Sequence, residues 1–309
     1  MTKRMLDYTC DKLFVHCVAK AVGRLNNGDP WIWEEAHQKA LIAEFERYLQ
    51  LFQGIHLMMF SVLNSHIHFG FYLDNKLEVD SKSVADAYQR VYGREIDRRT
   101  AKFIKLHKNQ SNLSLFMQRF NREFARRFNI EHFEVKRDGH MWGKRFHSTL
   151  ILDAEVLLRV FSYNMFNPVK AGLSEHPQDY PFNSFHFANE AKRNKWLASF
   201  HEAYEYLSNS EVSRSDFEQM LEDRLLEDEQ RIEKERRKSV KAHYQSNKEM
   251  TLTEKKRLYA QVVNTELDKQ RYLSHSNALG SREKLEEIMK TYQQKFRISA
   301  TDIDKVFRC

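Results

Sequence analysis

Hydrophobic and polar residues follow two different spacings through the first part of the chain. Runs rich in β-branched and aromatic residues, bounded by turn-forming residues, predict four strands, at 13–18, 55–62, 66–73 and 146–152. Apolar residues that recur every three or four positions predict helices, at 34–52, 84–92, 114–128 and 154–166. The short triplet Leu63-Asn64-Ser65 predicts an antiparallel hairpin between the second and third strands. Gly54 is expected to end the first helix as a left-handed cap, and Pro168 to stop the last one.

The order of these elements is β-α-β-β-α-β followed by a further helix. It predicts an α+β fold with a ferredoxin-like antiparallel sheet and helices on one face. Beyond about residue 190 the composition changes, and 216–241 is dense in Glu, Lys and Arg. Thr251 and Glu254 form a capping-box pattern, and Ser281 is placed to cap a helix that reaches Phe296. We therefore expect a first domain, 1–190, that folds without the rest, and an all-helical C-terminal region, 191–309.

Composition and charge narrow the class of protein. The 309 residues include 50 Lys or Arg and 43 Asp or Glu, a net charge of +7, which makes a polyanionic partner worth testing. The three cysteines are scattered without a CxxC pair, so the sequence predicts neither a disulfide framework nor a zinc site, and a cytoplasmic setting fits. No stretch approaches the roughly 20 apolar residues that span a bilayer, and no signal peptide is predicted.

The sharpest local feature is His66-Ile67-His68 on the third predicted strand. Alternate residues of a strand point to the same face, so the two imidazoles can converge on one metal ion. The simpler explanation is a pair of histidines held by hydrogen bonds on a half-buried strand. A nucleotide hydrolase of the histidine-triad type would need a third histidine at the next alternate position, where Gly70 stands.

A second feature is the run from Phe161 to Gly172, in which Tyr163 and Asn167 are one helical turn apart. A helical wheel places both outside the buried sector formed by Leu157, Leu158, Phe161 and Met165. This position favours a functional tyrosine, although most tyrosines on helix surfaces are structural.

A third feature combines basic and aromatic side chains ahead of the last predicted strand, in Gly139-His140-Met141-Trp142-Gly143-Lys144-Arg145-Phe146. Such a mixture suits phosphate contact and base stacking, and it is also compatible with an ordinary loop at a sheet edge. Arg119, Arg122 and Arg126 form a basic stripe on the 114–128 helix, which either follows phosphates or is merely solvated.

Together, in this order and at this spacing, the three motifs resemble those of single-tyrosine HUH transposases, most closely the REP-associated tyrosine transposases of bacteria. The resemblance covers about residues 8–190. Two departures are the Asn64-Ser65 pair, where the family usually has Pro-Asn, and the long helical tail.

The resemblance implies a ferredoxin-like nuclease that cuts single-stranded DNA at hairpin-forming elements. Tyr163 would attack the scissile phosphate to give a 5′-phosphotyrosyl link and a free 3′-OH. His66 and His68, with Asn167 as a third ligand, would hold Mg²⁺ or Mn²⁺. DNA contacts are expected from two groups of side chains, the Arg119, Arg122 and Arg126 stripe and the Trp142, Lys144 and Arg145 loop.

Other functions remain open at this point. One alternative is a hairpin-binding protein derived from such a transposase that no longer cuts. A replication-initiation or relaxase-type nuclease is disfavoured, because those proteins usually carry the histidines after the tyrosine or use a third histidine. The sequence also leaves open whether the chain acts as a homodimer, with Tyr163 working in cis or in trans.

Overall fold

The computed structural model describes residues 6, 10–22, 24–25, 33–131, 137–138, 140–143, 145–244, 251, 253–254, 257, 261 and 278–296. The chain forms two compact units, Met1–Leu150 and Ile151–Cys309. The strands are β1 (Lys12–Lys20), β2 (Arg24–Leu25), β3 (Ile55–Val62), β4 (His66–Asp74), β5 (Arg137–Asp138), β6 (His147–Ile151) and β7 (Ala278–Leu279). The helices are α1 (Glu35–Leu49), α2 (Ser81–Tyr92), α3 (Ala101–His107), α4 (Leu113–Glu131), α5 (Ala154–Lys170), α6 (Glu190–Ser208), α7 (Arg214–Tyr244) and α8 (Arg282–Phe296).

The main sheet of the first unit has the strand order β3-β4-β1-β6, and β4 is antiparallel to both of its neighbours. The predicted hairpin is confirmed: the Leu63 amide donates to the His66 carbonyl at 2.9 Å and closes the turn between β3 and β4. Strands β2 and β5 pair separately as a short second ladder. The mixture of this sheet with surrounding helices confirms the α+β class.

One face of β4 carries the core of the first unit. Phe69 and Phe71 alternate along the strand and pack on Phe45 of α1, with ring centroids 4.0 and 5.8 Å apart. Phe116 of α4 meets Phe45 edge-on at 5.2 Å. Each such buried aromatic side chain stabilises the fold by about 1.5–3 kcal/mol. Because side chains alternate on a strand, His66 and His68 fall on the opposite face.

Helix α5 opens the second unit, and its ends follow the chemistry of the sequence. The Asp153 side chain accepts a hydrogen bond from the Val156 amide at 3.0 Å and caps the helix, as predicted. The expectation that Pro168 stops the helix is wrong, because α5 continues through Pro168 to Lys170. Gly172, with φ of 71°, then provides the left-handed end.

Gly54 also differs from its predicted role. Helix α1 ends at Leu49, and the glycines with positive φ in the described ranges are Gly93 and Gly172. A Cβ at position 54 would lie 2.8 Å from the Asp74 carbonyl oxygen, so this glycine permits a close backbone approach. The Asp74 amide uses that approach to donate to the Gly54 carbonyl at 2.9 Å.

The C-terminal region contains the predicted helix signals. Thr251 and Glu254 make the reciprocal bonds of a capping box, and α8 begins directly after Ser281. The region is not wholly helical, however, since β7 lies within it and the Leu152 amide donates to the Leu279 carbonyl at 2.9 Å. In the described parts of the chain, no helix has the length and apolarity needed to cross a membrane.

The structure groups residues 151–190 with the helices that follow them. Helix α5 packs against both α6 and α7, for example where Phe161 meets Phe200 at 5.4 Å. The division of function at residue 190 stays a prediction, but this packing is a physical reason to doubt that a chain ending there would fold.

Candidate functional site

Three histidines, rather than two, form a row on one face of the first unit's sheet. The register of β1 with β4 pairs Val18 with His68 and His16 with Gly70, so His16 joins His66 and His68 on the same face. The ring centroids of His66 and His68 are 5.1 Å apart, and those of His16 and His68 are 5.3 Å apart with nearly parallel planes. The His66 and His68 side chains therefore lie side by side on one face, as predicted, and His16 lies beside them, whereas their convergence on a metal ion stays a prediction.

Hydrogen bonds fix which ring atom each histidine presents. The His68 Nδ1 lies 3.2 Å from the His16 Nε2, and the tautomers decide which of the two donates. The His66 Nδ1 lies 3.0 Å from the Ser65 hydroxyl. Because both Nδ1 atoms are engaged, a metal would be bound through the Nε2 atoms of His66 and His68. Partners of this kind orient ligating imidazoles in metalloproteins.

His16 was missed because nothing in the sequence marks it. It stands within an apolar run, and only the β1–β4 register places it beside His68. His16 and His68 are almost fully buried. The absence of a histidine at position 70 also has a structural reason, since a Cβ there would come within 2.6 Å of the Met59 side chain.

The imidazoles of His66 and His68 could supply two ligands to a metal ion, which is fewer than a complete site needs. Among the described residues, no group of three or more His, Cys, Asp or Glu side chains is arranged to hold a metal ion. Two imidazoles would need oxygen ligands beside them, such as an amide, water or phosphate. Two nitrogens completed by oxygens are compatible with Mn²⁺ and, less favourably, with Mg²⁺.

Tyr163 and Asn167 lie one turn apart on α5, in the second unit. The Asn167 side-chain nitrogen donates to the Tyr163 carbonyl at 2.7 Å. This bond uses the amide nitrogen and not the amide oxygen, which is the atom that a metal would require. The pair is therefore held in a defined orientation.

The helical wheel was wrong about the burial of this pair. Tyr163 and Asn167 are each only 4% exposed. The wheel assumed one buried sector, whereas in α5 every residue from Val160 to Val169 is buried. Within the second unit, α6, α7 and the turn at Pro177–Asp179 all pack on this helix. A helix surrounded in this way has no polar face from which a functional tyrosine could be identified.

Within the predicted arginine stripe, the Glu123 carboxylate offsets one of the three positive charges. Arg122 and Arg126, with side chains 69% and 60% exposed, both bind the Glu123 carboxylate, at 2.9 and 3.0 Å. Burial alone would raise the pKa of the Glu123 carboxyl, but the hydrogen bonds from Arg126 and Arg122 outweigh it and lower that pKa. Arg119 contacts the Tyr92 hydroxyl at 3.5 Å.

In the basic loop that contains Trp142, Lys144 and Arg145, some side chains pack against the protein and others face solvent. The Trp142 ring packs on Phe120 and Phe124, and its indole nitrogen donates to the Asn121 carbonyl at 2.9 Å. These contacts use the ring to anchor α4. Arg145 is exposed, and Lys144 lies outside the described residues. The DNA contacts assigned to these side chains stay predictions.

Comparison with known proteins gives one similarity. No family model matches the chain, and no curated protein matches it. A solved structure described as a REP-associated tyrosine transposase bound to a REP hairpin matches 63% of this chain and 88% of its own, with 16% identity and a TM-score of 0.32. A TM-score of this size does not establish a common fold.

Proposed function

We propose that the protein is a metal-dependent nuclease and strand transferase that cuts single-stranded DNA at hairpin-forming elements through Tyr163. The observation that carries the proposal is the pair of imidazoles on β4, with centroids 5.1 Å apart and each Nδ1 already engaged. The nuclease indicated by the sequence motifs needs two imidazoles that offer their Nε2 atoms as metal ligands. It also needs a tyrosine and an amide one turn apart on a helix, as Tyr163 and Asn167 are.

Tyr163 would supply the nucleophile. Its hydroxyl loses a proton and attacks the scissile phosphorus, the bond from phosphorus to the 3′ oxygen breaks, and that oxygen takes up a proton. The product is a 5′-phosphotyrosyl link and a free 3′-OH. The covalent link retains the energy of the broken phosphodiester, so the strand can be rejoined without ATP. A bound Mg²⁺ or Mn²⁺ would supply Lewis-acid stabilisation of the charge on the phosphate.

His66, His68 and Asn167 would act as metal ligands. The contact between His16 and His68 would hold the His68 ring in the orientation that aims its Nε2 at the ion. In the same way, the bond from Asn167 to the Tyr163 carbonyl would present the amide oxygen as a ligand.

Burial of the tyrosine adds a condition to this proposal. Tyr163 as a whole is only 4% exposed, so cutting requires its hydroxyl to reach a phosphodiester from an almost wholly covered residue. The same burial favours the second candidate, a hairpin-binding protein that does not cut. A protein that acts on genomic hairpins would work in the cytoplasm. Whether the chain acts as a monomer or as a homodimer is decided by measuring its mass in solution with and without DNA.

Formation of a covalent adduct tests the proposal directly. The full chain is incubated with single-stranded hairpin DNA and Mn²⁺, and denaturing gels reveal protein bound to DNA. We expect an adduct that Tyr163→Phe abolishes while hairpin binding persists. Tyr180→Phe is the matched control, since Tyr180 is an equally buried tyrosine of the same unit, and it should retain the adduct.

Metal titration provides the second test. His66→Ala and His68→Ala should each weaken Mn²⁺ binding measured by calorimetry, whereas His56→Ala should not, although His56 lies in the same sheet. Hairpin binding without any adduct in the native chain would favour the non-cutting candidate. Unchanged Mn²⁺ affinity in both histidine variants would remove the basis of the metal assignment.

A further inference from the structure

A concave pocket of about 520 Å³ lies in the first unit, formed by α3, the loop after it, α4 and the two residues that precede β6. Its volume is within the range of sites that bind small molecules or single groups of a larger ligand. Most of the lining residues are polar, although apolar atoms contribute much of the pocket surface, and the members are Lys105, Asn109, Asn112, Ser114, Leu115, Gln118, Asn121, Arg145 and Phe146. The lining includes no carboxylate.

The pocket lies in the most basic part of the chain. Residues 101–129 contain seven Lys or Arg and a single acidic residue, Glu123, so this segment accounts for nearly all of the net charge of +7. Glu123 is committed to Arg122 and Arg126, which do not line the pocket. Lys105 and Arg145 are exposed at its rim and form no ion pair with any residue that the structure describes. Charge complementarity therefore favours an anion at this position.

The amide groups of the lining fall into two classes. Asn109 and Asn112 are used by the protein, since Asn112 donates to the Asn109 side chain at 3.0 Å and accepts from the Leu115 amide at 2.9 Å. Gln118 is exposed, and its amide makes no hydrogen bond to a described residue. The Asn121 side-chain oxygen is buried and has no donor within the described ranges. Gln118 thus leaves hydrogen-bonding capacity at the pocket, and the lining residue Asn121 has a buried oxygen that no described donor satisfies.

We propose that this pocket binds one unpaired nucleotide of DNA and reads its base. Gln118 and Asn121 would hydrogen-bond the edge of the base, as side-chain amides do in nucleic-acid recognition, and Leu115 with the edge of Phe146 would contact its face. Lys105 and Arg145 would bind the adjoining phosphates. The choice of DNA rests on the proposed function, whereas the pocket itself does not.

The shape of the site favours a single strand over a duplex. Proteins read paired bases by inserting a protruding helix or ribbon into a groove, and a concave pocket cannot reach bases that are stacked and paired. An unpaired nucleotide can leave the stack and enter such a pocket. A loop or flanking strand of a hairpin offers nucleotides in that state.

Binding without cleavage provides the test. The full chain is titrated by fluorescence anisotropy, in EDTA, with single strands of dA, dC or dT of about 16 nucleotides and with the dA·dT duplex of the same length. We expect each single strand to bind more tightly than the duplex, with about a tenfold spread of affinity among the three bases. Gln118→Ala and Asn121→Ala should each reduce that spread to less than about threefold.

A matched pair of lysines separates the pocket from general electrostatics. Lys105→Ala should weaken all strands more than Lys108→Ala, which removes the same charge from an exposed residue outside the lining. Equal affinities for the three strands, equal binding of the duplex, or an unchanged spread in Gln118→Ala would overturn the proposal. Tighter binding of rA or rU strands would assign the pocket to RNA and overturn the choice of DNA. The EDTA in this assay removes divalent metal ions and prevents cleavage. A chain that forms no covalent adduct can therefore still confirm or overturn the pocket proposal.

Discussion

Two carboxylates, each held between two arginines of its own helix, occupy different units and serve different purposes. Glu123 of α4 binds Arg122 and Arg126, whose side chains are mostly exposed. Asp228 of α7 binds Arg231 at 2.8 Å and Arg224 at 3.3 Å. Within the part of the chain that the structure describes, only Asp228 accepts a hydrogen bond from another helix, from the hydroxyl of Ser162 on α5.

The difference shows how each unit holds its part of the proposed site. The histidine row lies on β1 and β4, which are joined by a continuous backbone ladder, so the ion pairs of Glu123 are accessory to it. The tyrosine helix depends on side chains that come from the C-terminal region. Besides Ser162 and Asp228, Glu155 at the start of α5 pairs with Arg224 of α7 at 3.3 Å. We therefore expect that substitutions or deletions after residue 190 disturb the position of Tyr163. Substitutions in the Glu123 ion pairs should disturb the histidine row less.

Removing the C-terminal region should have the largest effect. A chain that ends after residue 190 loses α6 and α7, exposes Phe161 and leaves Ser162 without Asp228. Contrary to the expectation from sequence, we expect this chain to aggregate or to melt without cooperativity, and to form no covalent adduct with hairpin DNA. Soluble expression, thermal melting and the adduct assay measure this.

A truncation that removes fewer residues provides the control. A chain ending after Tyr244 keeps α6 and α7 and loses β7 and α8, which contact the chain around Leu152 and Asp153. It should melt cooperatively. If the chain ending after residue 190 is as stable as this one and equally able to form the adduct, the dependence of α5 on the C-terminal region is refuted.

Asp228→Ala should have the next largest effect. It leaves Ser162 and Arg231 without their common acceptor and Arg224 without one of its two carboxylate partners. Removing one partner of a buried ion pair costs about 3–5 kcal/mol. We expect that loss in the free energy of unfolding measured with urea. Asp223→Ala is the control on the same helix, because Asp223 is exposed and, among the described residues, accepts a hydrogen bond only from Gln219. Equal losses in the two variants would show that Asp228 does not fasten α5.

The sequence predicted which face of a strand each residue occupies better than it predicted which sides of a helix are buried, and the reason is physical. A strand has two faces, so alternation alone placed His66 and His68 on the same one. A helix has a full circle of possible partners, and the apolar stripe of α5 revealed only one of them. The burial of Tyr163 depends on elements distant in sequence, which local periodicity does not encode.

Register and pairing account for the other differences. His16 enters the histidine row through a ladder between strands 52 positions apart in sequence, and no local signal reports that pairing. The basic stripe of α4 was visible in the sequence, and so was Glu123, but only the geometry shows that one carboxylate binds two arginines. The pocket at Gln118 and Asn121 was missed because amide side chains carry no charge pattern.

His16→Ala should have a moderate effect that is specific to the first unit. It removes the partner of the His68 Nδ1, and loss of such a partner lowers metal affinity by about 10–100-fold. Calorimetric titration with Mn²⁺ measures the change. His16→Gln, whose amide can restore a hydrogen bond to His68, should recover part of the affinity, and a merely structural histidine would give no such recovery. Unchanged Mn²⁺ affinity in His16→Ala would exclude a positioning role.

Glu123→Gln should have the smallest effect, since exposed arginine partners contribute about 1 kcal/mol or less. The pKa of Glu123 is lowered by Arg126 and Arg122 against the effect of burial, so the folded protein binds its proton less readily than the unfolded chain. The stabilisation is therefore fully present above the ordinary glutamate pKa of about 4.3 and is lost as the pH falls through the lower pKa of the folded state. Melting temperatures of the native and Glu123→Gln chains, measured from pH 7 downward, should differ slightly at neutral pH and converge in acid. A difference at pH 7 as large as that of Asp228→Ala would mean that Glu123 also joins elements distant in sequence, and the contrast between the two carboxylates would fail.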